Sequence, residues 1–177
     1  IHVYDGNNIS QIKESITPKP LDEYSKYHLL AEERILELTH ENKINGTILR
    51  ISNAIGPPAN KEANCWHLVA NDFARQVCLE SKIEIKSSSG ITRDFIPIKS
   101  ICSILLFLIK NKTGQKIINV ASGKNITLKY LAQLITKEYE RKSGLRTTIV
   151  ENVTDNNLEK DKTIVINKII NELFKYE

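Results

Sequence analysis

The chain has 177 residues, enough for one domain with a real core or for two lobes that share segments. Twenty-five Lys and Arg against 21 Asp and Glu leave a formal net charge of +4. That excess is too small and too dispersed to indicate nucleic acid by itself, and small phosphate-bearing molecules suit it equally well.

Taken in chain order, Ile1-His2-Val3-Tyr4 reads as a short strand ended by the turn signal Asp5-Gly6. A polar loop runs to Pro18 and Pro20. Residues 22–41 read as a helix with Asp22 as N-cap, because Leu29, Leu30, Ile35, Leu36 and Leu38 recur at helical spacing. Gly46 separates it from a buried strand over 47–51, and Gly56-Pro57-Pro58 stops that strand. A helix over 65–80, a strand over 83–85, a turn over 87–90 and a strand over 95–98 follow. Then come an apolar helix over 100–110, a strand over 116–120 and a loop over 121–123. Thr127 caps a helix that runs to 142. A strand over 147–150 and a terminal helix over 167–176 complete the pattern. Strands alternating with helices predict a parallel-sheet α/β fold.

Cys65, Cys78 and Cys102 are too scattered for a zinc site, and their odd count argues against a complete disulfide framework. They read as reduced and mostly buried, which points to a cytoplasmic protein. The longest apolar run, Ile101 to Ile109, is far shorter than the roughly 20 residues of a membrane helix, so no membrane partner is expected. The chain contains no methionine, and we expect it to be a portion of a longer protein. His2 and His40 have no partner that the sequence names, and no metal site is expected.

Tyr24 and His28 carry the most information. Four residues apart on the first turn of a helix, they stack on one face and pair a phenol with an imidazole. Such a pair can move a hydroxyl proton. The alternative is that both are helix-surface residues.

Five segments then line up in order. They are Ile1 to Gly6 with its Val3-Tyr4, Tyr24 to Glu32, Arg50-Ile51-Ser52-Asn53-Ala54-Ile55-Gly56-Pro57, Ser89 to Ile96 with its Arg93-Asp94-Phe95, and Ile118-Asn119-Val120-Ala121-Ser122-Gly123. Together they resemble the extended short-chain dehydrogenase/reductase family, specifically its NAD-dependent nucleotide-sugar epimerases and dehydratases. The resemblance implies a partial doubly wound, Rossmann-like parallel sheet with a smaller α/β substrate lobe. Residues 1–58 and 99–123 would form the C-terminal part of the nucleotide-binding lobe, and 59–98 with 124–177 the substrate lobe.

What the resemblance implies for the site follows residue by residue. Tyr24 is the acid/base, and Tyr24, His28 and Ser52 face the cofactor, NAD or NADP. Asn53, Asn64 and Arg93 face a nucleotide-sugar substrate, Arg93 through a fork suited to phosphate oxygens. Arg93 pairing with Asp94, and Asn53 serving only a turn, remain alternatives. Relatives commonly form a homodimer through the helix corresponding to 22–41. Two departures stand out. None of the seven glycines falls in a Gly-x-Gly-x-x-Gly loop, so this chain is expected to bind dinucleotide poorly. His28 also stands where the family has lysine. Imidazole has a reference pKa near about 6.5 and is often neutral, so weaker or altered redox chemistry is expected. The competing readings are a truncated or degenerate relative that binds a nucleotide sugar or a partner without catalysis, and a generic α/β binding module.

Overall fold

The computed structural model describes residues 1–4, 11–60, 62–86, 91–111, 114–152, 163–164 and 170. In chain order the elements are β1 (Gln11–Ile12), α1 (Glu23–His40), β2 (Ile48–Ile51), β3 (Asn53–Ile55), α2 (Val69–Glu80), β4 (Lys82–Ile85) and β5 (Thr92–Pro97). They continue with α3 (Ile98–Lys110), β6 (Ile117–Val120), β7 (Asn125–Thr127), α4 (Leu128–Ser143), β8 (Thr148–Glu151) and β9 (Thr163–Ile164). The pairs β1–β9, β2–β6 and β4–β8 are all parallel. Parallel neighbours need crossover connections, here supplied by helices, which bears out the α/β reading. β5 is the middle strand of a sheet with order β3-β5-β7.

The chain divides into two compact units. The first comprises Ile1–Ala54, Asp94–Lys124 and Lys162–Glu177; the second comprises Ile55–Arg93 and Asn125–Asp161. In the first, β2 and β6 run in register from Ile48 opposite Ile117 to Ile51 opposite Val120. Ile118 and Val120 from β6 meet Ile101 and Ile104 from α3, together with Ile96 and Ile170. Each buried isoleucine contributes about 1.5–3 kcal/mol of hydrophobic stabilisation, so this cluster dominates the unit. A second cluster joins Val3, Tyr4, Ile12 and Ala121. In the second unit, α2 packs on β4 and on α4. Phe73 and Val77 of α2, Ile83 and Ile85 of β4, and Leu131 and Ala132 of α4 are buried there.

Helix ends follow their local chemistry. Thr127 accepts a hydrogen bond from the Tyr130 amide at 3.1 Å, and α4 stops at Gly144, whose φ of 73° suits a residue without Cβ. α2 begins at Val69, not at residue 65. The Cys65 carbonyl accepts from the Leu68 amide at 3.1 Å and from Asn71 Nδ2 at 3.3 Å, so local turns take up the acceptor that an earlier start would use.

Other expectations also shift. Residues 2–4 form a turn and bend instead of a strand: Tyr4 N–H donates to the Ile1 carbonyl at 3.3 Å, and the Val3 carbonyl accepts from Lys19 N–H at 2.8 Å. The cysteines are free, but Cys65 is half-buried and Cys78 and Cys102 are exposed. Cys78 and Cys102 each follow a buried residue, Val77 and Ile101, by one position, which on a helix turns them about 100° away from the core. The turns expected at Asp5-Gly6 and 87–90 lie outside the described residues. So does the terminal helix over 167–176, except Ile170, which is helical and buried.

Gly46 illustrates a glycine required by space. A Cβ there would lie 2.7 Å from Ile35 Cγ2 and 2.8 Å from Thr39 Oγ1. Ile35 is branched and seated on α1, while Thr39 Oγ1 donates to the Ile35 carbonyl and accepts from Gly46 N–H. We expect Gly46→Ala to cost about 1–3 kcal/mol through overpacking. A thermal melt of the variant that overlays on the parent would contradict this.

Candidate functional site

The start of α1 presents the first group of interest. Asp22 caps the helix by accepting from Ser25 N–H at 2.7 Å, which fixes the turn that carries Tyr24. Tyr24 is 62% exposed. Its ring centroid lies 4.4 Å from that of His28, with the planes at 71°. His2 approaches the same phenol ring, 5.7 Å between centroids and at 78°. Tyr24 therefore touches two imidazoles in edge-to-face contact. The contact with His28 follows from helical spacing. The contact with His2 was missed, because 21 residues of intervening chain hide it.

Hydrogen bonds from the Ser25 backbone and hydroxyl hold the Asp22 carboxyl below its ordinary value of 3.8, helped by the charges of His2 and Lys26. A depressed folded-state pKa means that the cap's contribution is fully present above the unfolded value and is lost as pH falls through the folded one. The first turn of α1 is therefore expected to fray as pH drops below 3.8. Amide exchange at Ser25, followed from about pH 5 (ionised cap) to about pH 2 (protonated cap), checks this. Asp22→Asn should flatten the dependence, since asparagine caps without titrating.

A buried polar network ties α1 to β2. Arg50 and Glu32 side chains are 3% and 11% exposed. Arg50 Nε donates to both Glu32 carboxylate oxygens at 3.1 Å, and Nη2 donates to Oε2 at 2.6 Å. Its Nη1 donates to the Tyr4 hydroxyl at 2.6 Å, and that hydroxyl donates to Asn119 Oδ1 at 3.0 Å. Asn119 N–H donates to Glu14 Oε1 at 2.8 Å. Burial opposes the charge on Arg50, but its hydrogen bonds to Glu32 and Tyr4 outweigh that and raise its pKa. Burial also raises the Tyr4 phenol.

The second group lies just past the carboxyl ends of β2 and β6, where open parallel sheets bind ligands. Asp94 is 3% exposed. Its Oδ1 accepts from Ser52 Oγ at 2.6 Å and from Ser122 N–H at 3.0 Å. Its Oδ2 accepts from Ser122 Oγ at 2.8 Å and from Lys124 N–H at 3.1 Å. Asn53 Nδ2 donates to the Asp94 carbonyl at 2.8 Å. Ser52 is buried with its hydroxyl turned to Asp94, and Asn53 is half-buried.

Arg93 and Asn64 belong to the second unit. Arg93 is half-buried and donates through Nη1 to the Thr92 carbonyl at 3.0 Å; Asn64 is exposed in the loop before α2. Ring contacts thus gather Tyr24, His28 and His2, and hydrogen bonds to Asp94 gather Ser52 and Asn53. A cavity of about 680 Å³ lies at the opposite end of α1, lined by Leu36, Thr39, His40 and Lys116 among others, and contains none of these groups. Among the described residues no cluster of three His, Cys, Asp or Glu could hold a metal ion. No described helix is long and apolar enough to cross a membrane.

The chain is 25% identical over 140 residues to a dTDP-6-deoxy-L-talose 4-dehydrogenase (NAD(P)(+)) from Kitasatospora kifunensis, covering 78% of this chain and 42% of that protein. It is 24% identical over 139 residues to an ADP-L-glycero-D-manno-heptose-6-epimerase from Brachyspira hyodysenteriae (strain ATCC 49526 / WA1), covering 77% and 43%. The chain therefore spans less than half the length of these curated relatives. Its fold resembles that of a UDP-N-acetylglucosamine 4-epimerase from Methanobrevibacter ruminantium M1, with TM-score 0.76, 21% identity, and coverage of 95% of this chain and 52% of that one. A UDP-glucuronic acid 4-epimerase from Bacillus cereus matches with TM-score 0.71 and 21% identity over 99% of this chain and 53% of that one. These matches bear out the Rossmann-like α/β class expected from the motifs. Residues 2–121, well over half of the sequence, match the family model described as NAD dependent epimerase/dehydratase family. The chain belongs to that family.

Proposed function

We propose that this chain is the C-terminal portion of an NAD(P)-dependent enzyme that epimerises or dehydrates a nucleoside-diphosphate sugar. The observation that carries the reading is the exposed Tyr24 phenol in ring contact with His28 at the capped start of α1, inside the segment that matches the family. Tyr24 takes or returns the proton of a sugar hydroxyl. His28, and His2 on the other contact, hold the ring in place and offer hydrogen bonds beside it. Asn53 and Ser52 mark the ligand-facing edge beyond β2, with the nicotinamide nearest Ser52 and the sugar nearest Asn53. Arg93 and Asn64 take the substrate diphosphate.

The residues here fit only part of a dinucleotide. The exposed His28 imidazole beside Tyr24 suits a ribose hydroxyl, whereas none of the seven glycines forms a pyrophosphate loop. When bound, NAD or NADP supplies the hydride acceptor. The first unit would serve the nucleotide and the second the substrate. The exposed Tyr27 and Leu30 on α1 support a homodimer through that helix, and a cytoplasmic role in surface polysaccharide synthesis suits such an enzyme.

The test is turnover of UDP-, dTDP- and ADP-sugars by the complete gene product with NAD or NADP, followed by product NMR. Conversion of one sugar class is expected. Tight sugar binding without conversion would favour the non-catalytic reading, which the histidine at position 28 supports. Failure to bind any of the panel would sink both.

A further inference from the structure

The bonds around Asp94 do more than satisfy a buried acid. An ionised carboxylate has about four lone-pair sites and no donor, and four donors surround this one. The donors come from special places along the chain. The first unit is left after Ala54, re-entered at Asp94 and left again after Lys124. Ser52 and Asn53 stand just before the first crossing, Asp94 is the second, and Ser122 and Lys124 lead up to the third. The remaining crossing, at 161–162, lies outside the described residues. All of the bonded residues lie within the first unit, so the clasp is internal to it.

We propose that Asp94 is a positioning residue: its carboxyl group pins together three of the four segments by which the chain leaves and re-enters the first unit, and thereby fixes the Ser52–Asn53 edge. Its effect on ligand binding rests on reading that edge as ligand-facing. The geometry demands an acceptor on both oxygens. Asparagine would set its NH₂ group against the Lys124 N–H in one orientation or the Ser122 N–H in the other, donor facing donor. Glutamate carries one more methylene into a space that is already closed.

Hydrogen exchange on this chain tests the pin without reference to activity. In Asp94→Asn, the Ser122 and Lys124 amides should exchange at least about tenfold faster, while the Ile48 amide, bonded to the Lys116 carbonyl at 2.8 Å, keeps its protection. Unchanged exchange at Ser122 and Lys124, or equal acceleration at Ile48, would overturn the proposal. Should Asp94→Asn fail to fold, Ser122→Ala removes one donor, leaves the carboxylate in place and is read at Lys124 and Ile48 in the same way. In the complete protein, Asp94→Asn should weaken nucleotide-sugar binding by about tenfold or more. An unchanged Kd despite faster local exchange overturns the positioning role. A parent protein that binds no nucleotide sugar sinks the functional reading and leaves the exchange result standing.

Discussion

Arg50→Ala is expected to destabilise the first unit by about 3–5 kcal/mol, because it leaves the Glu32 carboxylate buried beside β2 without its partner. The loss exceeds that of the pair itself. The Nε and Nη2 donors to Glu32, which make three hydrogen bonds, vanish together with the donor to Tyr4, and the Tyr4–Asn119 bond loses its anchor. Arg50→Lys should recover part of the loss, since one ammonium cannot reproduce the planar fork. The double variant Glu32→Leu with Arg50→Met removes both charges and should be milder than either single change. Contrast the Glu138–Arg141 pair on α4. Arg141 and Lys142 hold the Glu138 carboxyl down to about 2, yet these groups stand in solvent, where screening leaves little net stabilisation. The readout should be amide exchange at Ile48 and the other β2 amides. Trp66, the chain's one tryptophan, lies in the second unit and its fluorescence reports there. A loss below about 1 kcal/mol for Arg50→Ala would mean that the network is incidental.

Tyr24→Phe should lower kcat of the complete protein by about 10²–10⁴, the range for removing a positioned acid/base, with little change in nucleotide-sugar KM. Phenylalanine keeps the ring, and with it the edge-to-face contacts to His28 and His2. Only the titratable hydroxyl is lost. A kcat within threefold (about 0.7 kcal/mol) of the parent would remove Tyr24 from the chemistry. His28→Lys offers a complementary measurement: if the imidazole limits the phenol, lysine should raise kcat, whereas a fall shows that the imidazole has its own part.

The sequence displayed its longer elements because each carries several repeats of its own period. Asp22 and the Leu/Ile spacing announce α1, and the alternation in Lys82–Ile85 announces β4. β1, β3, β7 and β9 are two or three residues long, too short for a period-two signal, and exist through their partners. The same limit applies to the sites. Tyr24 and His28 lie one helical turn apart and could be paired from spacing alone. Asp94 stands out in the sequence as part of the Arg93-Asp94-Phe95 segment and as a candidate ion-pair partner of Arg93. Its hydroxyl and amide donors lie 42, 28 and 30 residues away, and no local pattern brings them together. Arg50 likewise appeared only as part of a motif, while the structure gives it the task of holding α1 on β2.

The interleaving of the first unit has a consequence for biosynthesis. Its core unites Ile101 and Ile118 with Ile170, and β1 pairs with β9 across some 150 positions. A ribosome delivers residues in order, so the nascent polypeptide must leave the cluster against which Leu49 and Ile51 pack incomplete until Ile170 emerges. A chain ended shortly before residue 162 lacks β9 and Ile170 and is therefore expected to leave that apolar surface uncovered and available to chaperones.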